Sequence, residues 1–566
     1  MADRPDIRPL MDRQRRRGAT LLLLWLGLML GLSFPYFEAT RNANERPRLL
    51  QAMALVEEGS FAIDGPGARG LDPGPDVSRS RADDRIYPNK PPGTTLIAAA
   101  AYRGARAMSD DLDLRTYTWW ARILAGWLPT MILAGLLFRR YAAGFGPRVA
   151  AGAVTLYALG TPAASYAHLL YGHQLAAMFL FAGIALLVDA GRDVGRRRAL
   201  VSAALGGGLA GAAVGVEYGA VFAALPIAGL LLARVRKPDG AVVLIAGLAG
   251  ALVPILALAA YHQHVYGSPW STGYHHVTNA DFAAKHGQGL LGLGLPGLEG
   301  ATTHLLSADG GLLWWAPTVV LALYGLAQLA HKPGPLCAEA RVHLAVLVVY
   351  GLVVSSLSFE GGWRVGPRYL VVALPSLCMG WAHVLSQART KISAMVVVAA
   401  LGTYAVVVNA LAANLWPHFD LTNIHQPVTE VLLPLWEHDR HPYGFVQLLT
   451  GRSGLRLVVV GSVIGTWTVF GAMAEGGYRM ALGIIGGSLV GLLLVGSTYV
   501  IEPHPKGERN LAYIERIWEP RGETPGKSVS LTGPLHSRRG GRSTGESSRS
   551  SLRPKRSRRR GSTRRE

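Results

Sequence analysis

Apolar runs long enough to cross a bilayer recur along the chain, separated by short polar breaks that carry arginine. A hydrocarbon core roughly 30 Å thick needs about 20 apolar residues in helical form. The pattern predicts spans over 18–37, 117–138, 149–167, 172–190, 199–216, 219–233, 241–261, 311–330, 341–357, 369–386, 391–413, 456–473 and 480–500. Backbone groups in lipid must be satisfied within their own segment, so helices are the default. The alternating pattern of a membrane barrel strand is not visible. The expected class is all-α: a polytopic integral membrane protein of about thirteen transmembrane helices. The first apolar run reaches Phe37 with no small-residue cleavage site after it, which points to a span and not a cleaved signal peptide.

The polar breaks orient this bundle. "RQRRR" (13–17), "RRYAAGFGPR" (139–148), "GRDVGRRR" (191–198), "RVRK" (234–237) and "SQARTK" (386–391) all fall on one side if residues 1–17 are cytoplasmic. The C-terminus is then outside. Segments 38–116, 262–310, 358–368 and 414–455 face outward. The first of these is a long loop carrying interfacial helices. Its stretch 93–108, "GTTLIAAAAYRGARAM", is apolar but short and ends in Arg103 and Arg106, which reads as an interfacial or re-entrant helix. Earlier in the loop, Leu49, Leu50, Met53, Ala54 and Val56 form the apolar face of an amphipathic helix suited to a membrane surface. "ALGGGLAGAAVG" (204–215) suits close helix packing.

Composition agrees with the pattern. The 566 residues are 50% hydrophobic and 16% charged, with mean hydropathy +0.25. A soluble chain of this length would divide into several domains with more charge. Cys337 and Cys378 lack ligand spacing, so neither a disulfide framework nor a zinc site is expected. The net charge is +20, and the segment 501–566 holds 17 Lys+Arg against 7 Asp+Glu. That tail is almost free of apolar residues towards its end and reads as disordered. Its charge favours the cytoplasm, whereas the span count places it outside. No aromatic residues interleave the arginines of its last stretch, 547–566, so nucleic acid is not an expected partner. The organisation is a basic N-terminus (1–17), a membrane domain (18–500) and the tail (501–566).

Candidate chemistry lies at the outer edge. Glu45, Arg46 and Arg48 follow the first span, and "YPNKPPG" (87–93) sets Lys90 on a proline-fixed corner before the next apolar stretch. A carboxylate can serve as general base to an acceptor hydroxyl or amine, and a lysine held by its backbone can bind phosphate as a point charge. The alternative for Lys90 is a headgroup anchor. "GGWRVGPRYL" (361–370) brings Arg364 and Arg368 to another outer edge, where a guanidinium fork suits a phosphate or pyrophosphate. There too an interfacial anchor with Trp363 and Tyr369 is the competing reading. Glu217 interrupts an apolar stretch between two spans: either it joins a site or it is a helix-end acid. Tyr171 and His173, on a short outer turn, and Tyr87 are candidate substrate contacts, or polar groups satisfied at the interface. The loop 262–310 is rich in histidine (His262, His264, His275, His276, His286, His304), but without HExxH or fixed spacing it does not read as a metal site.

The first loop resembles that of bacterial GT-C glycosyltransferases, relatives of protein O-mannosyltransferases and of the lipid A aminoarabinose transferase. The resemblance rests on "NERPR" (44–48), "EEGSFAID" (57–64) and "YPNKPPG", in that order. "GTPAASYAHLLYGHQLAA" (160–177), "YGSPWSTGY" (266–274) and "FEGGWRVGPRYLVVALP" (359–375) extend it to about residue 375. It implies transfer of a sugar from a polyprenyl-phosphate-linked donor to a cell-envelope acceptor, at the outer face of the bacterial cytoplasmic membrane, with no cofactor and no metal required. By position it places Glu45 in the active site as the candidate catalytic base and assigns Arg48 and Lys90 to the donor phosphate, with Arg364 and Arg368 joining them. Asn44 stands where relatives often have aspartate; Asp64, Asp83 and Asp84 are the nearby acids that could compensate, as could Glu217. A transporter or flippase of lipid-linked saccharides would instead show internal repeats and mid-membrane polar groups. A non-catalytic protein of the same fold is the third reading.

Overall fold

The computed structural model describes residues 8–32, 34, 42–192, 195–287, 289, 292–357, 361–418, 421–517 and 530–531. Most of the predicted tail, 518–529 and 532–566, lies outside the described residues. The protein is a polytopic helical bundle with a small loop domain at one end. Among the described residues, eight of the thirteen predicted stretches are helices long and apolar enough to cross a membrane: Leu114–Phe145, His173–Ala190, Arg196–Val216, Gly240–Tyr266, Cys337–Ser355, Ile392–Leu415, Leu455–Met473 and Gly477–Val500. Tyr218–Leu232 and Val319–His331 are shorter apolar helices. Of the others, 149–167 and 369–386 are broken, as where Pro147–Leu159 gives way to the turn Ala163–Tyr166, and 18–37 is helical to Gly31 within helix Arg8–Gly31, with residues 33 and 35–37 outside the described residues.

The Gly/Ala run does what small residues allow. Helix Arg196–Val216 packs between His173–Ala190 and Gly240–Tyr266. A Cβ on Gly206 would lie 2.9 Å from the Gly183 carbonyl oxygen, and one on Gly207 would lie 1.9 Å from that of Gly247. Backbones this close tolerate no side chain between them.

The loop domain holds three elements that position the site. Helix Arg46–Glu58 begins after Glu45 and ends at Gly59, whose φ of 65° is left-handed. Helix Gly93–Met108 follows the Pro91-Pro92 corner, and the two pack through Leu49, Leu50, Met53, Ala98 and Tyr102. Most of the expected apolar face of the first helix is buried, but Val56 is exposed and Arg48 and Gln51 on the polar side are buried as well. These two polar residues turn inward because partners wait there. Gln51 donates to the Phe61 carbonyl at 2.9 Å, and Arg48 reaches Glu217. The third element was not foreseen: strands β1 (Val77–Arg79) and β2 (Ile86–Pro88) form an antiparallel hairpin, with Val77 opposite Pro88 and Ser78 opposite Tyr87. Three-residue strands carry too little alternation to register in a sequence pattern.

Candidate active site

Two buried ion pairs anchor the start of helix Arg46–Glu58. Glu45 is fully buried; Arg122 donates to its two oxygens at 2.9 and 2.6 Å, and the Leu170 N–H donates at 2.7 Å. Burial pushes the Glu45 carboxyl up, but the Arg122 charge and hydrogen bonds override it and hold the group below the ordinary glutamate range. One turn on, Arg48 donates to the Asn44 side-chain oxygen, to the Leu170 carbonyl at 3.4 Å and to Glu217 at 3.2 Å. The Leu170 peptide is thus gripped at both ends, which fixes Tyr171 beside it.

Glu217 caps helix Arg196–Val216 in extended conformation and lies 3.6 Å from His173 Nδ1. Burial raises its carboxyl above the ordinary range, against the pull of Arg48, Lys90 and Arg368. Gly93 permits this meeting: a Cβ there would lie 2.6 Å from the Gly215 carbonyl oxygen, so only glycine lets the helix behind Lys90 touch the end of Arg196–Val216.

Above these pairs opens a cleft of about 670 Å³. Lys90, Arg364, Arg368 and Lys285 line it, together with Asp76, Tyr171 and Tyr274. The hairpin register explains two of these. Because Val77 faces Pro88, Asp76 and Asn89 lie one step beyond the last pair, and the Asn89 N–H donates to the Asp76 carbonyl at 3.4 Å. Lys90 follows directly. Its Nζ lies 2.9 Å from Asn89 Oδ1, 3.5 Å from Asp76 Oδ2 and 5.0 Å above the Tyr274 ring. Burial lowers the Lys90 ammonium's pKa; Arg368 and Arg48 add to that, and Asp76 opposes it. Asp76 is itself held below the usual aspartate range: burial would raise it, and Lys90 and Arg368 outweigh burial. On the facing wall, Arg368 donates to the Tyr369 hydroxyl at 2.9 Å. Gly310 leaves room for Arg364, since a Cβ there would lie 2.7 Å from its guanidinium. Gly361, at φ 103°, turns the wall beside Tyr369.

The predicted residues therefore divide. Lys90, Tyr171, Arg364 and Arg368 line the cleft, with Arg48, Glu217 and His173 beneath it. Glu45 is not among the lining residues, and its oxygens are occupied. Asp84 is exposed and pairs with Arg79 at 3.4 Å. Tyr87 points the other way, donating to Asp83 at 2.5 Å and packing edge-on against Tyr266. Asp64 and Asp83 likewise stay outside the lining. Asp76, Arg122 and Lys285 were missed. Asp76 sits in a Pro/Gly-rich stretch with no periodic signal. Arg122 lay inside a predicted span, where an ionised group is itself a signal.

Two of the histidines of 262–310 stack on tyrosines, His276 on Tyr266 at 4.9 Å and His286 on Tyr274 at 4.5 Å. Among the described residues no group of three or more His, Cys, Asp or Glu side chains is placed to hold a metal.

No protein-family model matches the sequence, and no curated protein does. Solved structures with a similar fold include ArnT from Cupriavidus metallidurans in the apo state, at 16% identity and TM-score 0.46, covering 84% of this chain and 78% of that one. An Archaeoglobus fulgidus oligosaccharyltransferase in the apo form is similar at 13% identity and TM-score 0.43, covering 91% of this chain and 61% of the other. Arabinosyltransferase EmbB from Mycobacterium smegmatis is similar at 14% identity and TM-score 0.40, over 84% of this chain and 41% of that one.

Proposed function

We propose that the protein is a membrane glycosyltransferase that moves a sugar from a polyprenyl-phosphate-linked donor to a cell-envelope acceptor. The observation that carries this reading is the convergence of Lys90, Arg364 and Arg368 on one cleft at the end of the helix bundle. Lys90 and Arg364 are almost fully buried, which fixes their charges at the cleft wall. Lys285 adds a fourth positive charge against the single carboxylate of Asp76 among the described lining residues. Such a site suits a phosphate, and three cations around a leaving phosphate would stabilise the charge it gains as the glycosidic bond breaks.

Helix polarity supports an outward-facing cleft. His173–Ala190 and Arg196–Val216 carry His173 and Glu217 at the cleft end. Their opposite ends carry Arg192, Arg196, Arg197 and Arg198. The arginine end belongs in the cytoplasm by the positive-inside rule, which leaves the cleft at the outer face of the membrane. In this reading Glu45 is a positioning residue: through Leu170 it holds Tyr171 at the cleft floor.

The test is deletion of the gene followed by mass spectrometry of envelope glycolipids and glycoproteins. One sugar should disappear, return with the wild-type gene, and stay absent with Lys90→Ala. An unchanged glycan profile in the deletion strain would refute the reading.

A further inference from the structure

The proposed transfer needs a group to take the acceptor's proton, and among the described residues three carboxylates, those of Glu45, Glu217 and Asp76, bear on the cleft. Glu45 is locked between Arg122 and Leu170, and Glu217 lies below, against Arg48 and His173. Asp76 alone among them is a lining residue. It enters on the hairpin, which β1 and β2 hold in register and which Ser78 ties to the Gly273 carbonyl at 2.7 Å. The position is therefore built into the fold and not left to a loose loop.

We propose that Asp76 is the proton acceptor of the transfer and that its ion pair with Lys90 is a latch opened by the donor phosphate. The inference rests on the glycosyltransferase reading above. The pair is 3.5 Å long, against about 2.7–2.9 Å for a tight charge-assisted contact, and Lys90 sits closer to Asn89 than to Asp76. A phosphate entering between Lys90, Arg364 and Arg368 competes for the same ammonium. When Lys90 turns to it, Asp76 loses its nearest positive charge and gains the phosphate's negative field. Both changes raise a carboxylate's affinity for a proton. The base is thus weak while the cleft is empty and strengthens when the donor is seated.

The step balances. The acceptor hydroxyl oxygen forms a bond to the anomeric carbon. The bond from that carbon to the donor phosphate oxygen breaks, and its electron pair leaves with the lipid phosphate, held by the three cations. The hydroxyl proton passes to an Asp76 carboxylate oxygen and is released to water after the product departs.

Two readouts separate this proposal from the reading beneath it. The full-length protein in lipid nanodiscs is titrated with undecaprenyl phosphate, and the same variants are assayed for restoring the missing glycan in the deletion strain. Asp76→Asn should bind undecaprenyl phosphate no more weakly than wild type, because the rival for Lys90 is gone. Its transfer should fall at least about 100-fold, the scale of a lost general base. Asp76→Glu, which keeps the carboxylate, should recover part of that activity. A smaller fall in Asp76→Asn, or weaker lipid-phosphate binding by it, would overturn the latch while leaving the glycosyltransferase standing. Failure of the wild type itself to bind undecaprenyl phosphate and restore a glycan would remove both.

Discussion

Glu45 and Arg122 meet in a two-point ion pair, Nε and a terminal nitrogen of Arg122 donating at 2.9 and 2.6 Å to a carboxylate with no solvent exposure. The pair joins the start of the first loop helix to the long helix Leu114–Phe145, just ahead of its π-helical turn at Ile123–Trp127. Breaking one side of such a pair strands a buried charge, at a cost of about 3–5 kcal/mol. Glu45→Gln should therefore melt well below wild type in detergent, as read by tryptophan fluorescence on heating. Wild-type melting with transfer abolished would instead make Glu45 a catalytic residue.

The same pair gives a pH dependence with a definite sign. Glu45 is held below its ordinary value, so folding favours its ionised form. That stabilisation is complete above the unfolded glutamate value of about 4.3 and is lost as the pH falls through the lower folded value. Glu217 is shifted the other way, by burial, and works in the opposite direction. It is present in both proteins, so comparing wild type with Glu45→Gln isolates Glu45. The melting temperature of the wild type should fall more steeply on acidification below that value. Parallel curves would show that Glu45 is not linked to folding.

Gly93→Ala tests how the cleft is assembled. The added methyl would lie 2.6 Å from the Gly215 carbonyl oxygen and 2.8 Å from Val216, and the backbone there cannot swing aside. Overpacking of this kind costs about 1–3 kcal/mol and should lower both thermal stability and transfer. Gly104→Ala, in the same helix with no atom within 4 Å of the new methyl, is the control. It should be neutral or stabilising, since alanine is the better helix former. Equal behaviour of the two variants would deny the close approach any role.

Three of the cleft's four cations were legible in the sequence because each broke a local rule. Lys90 stood on a proline corner, and Arg364 and Arg368 among glycines at an apolar edge. Glu217 was legible for the same reason, as an acid between two spans. Asp84 and Tyr87 were singled out by nearness in sequence to Lys90, yet hairpin geometry sends them away. The turn carries Asp84 to solvent, and Tyr87, one residue off the cleft end, faces Asp83. Asp76 was illegible because strand register, and not spacing, brings it to Lys90 across fourteen positions. The helices followed from hydropathy. The inward turn of Arg48 and Gln51 did not, since their partners Glu217 and Tyr261 come from distant helices.

In the proposed function Lys90, Arg364 and Arg368 together hold a lipid phosphate. Arginine's planar fork is not replaced by lysine or alanine at a phosphate site. The most direct measurement is titration of undecaprenyl phosphate into nanodisc-embedded wild type and the Arg364→Ala/Arg368→Ala double variant. The wild type should bind saturably, and the double variant should bind at least about 30-fold more weakly, about 2 kcal/mol. Equal affinity in the two proteins, or no saturable binding by the wild type, would contradict the account.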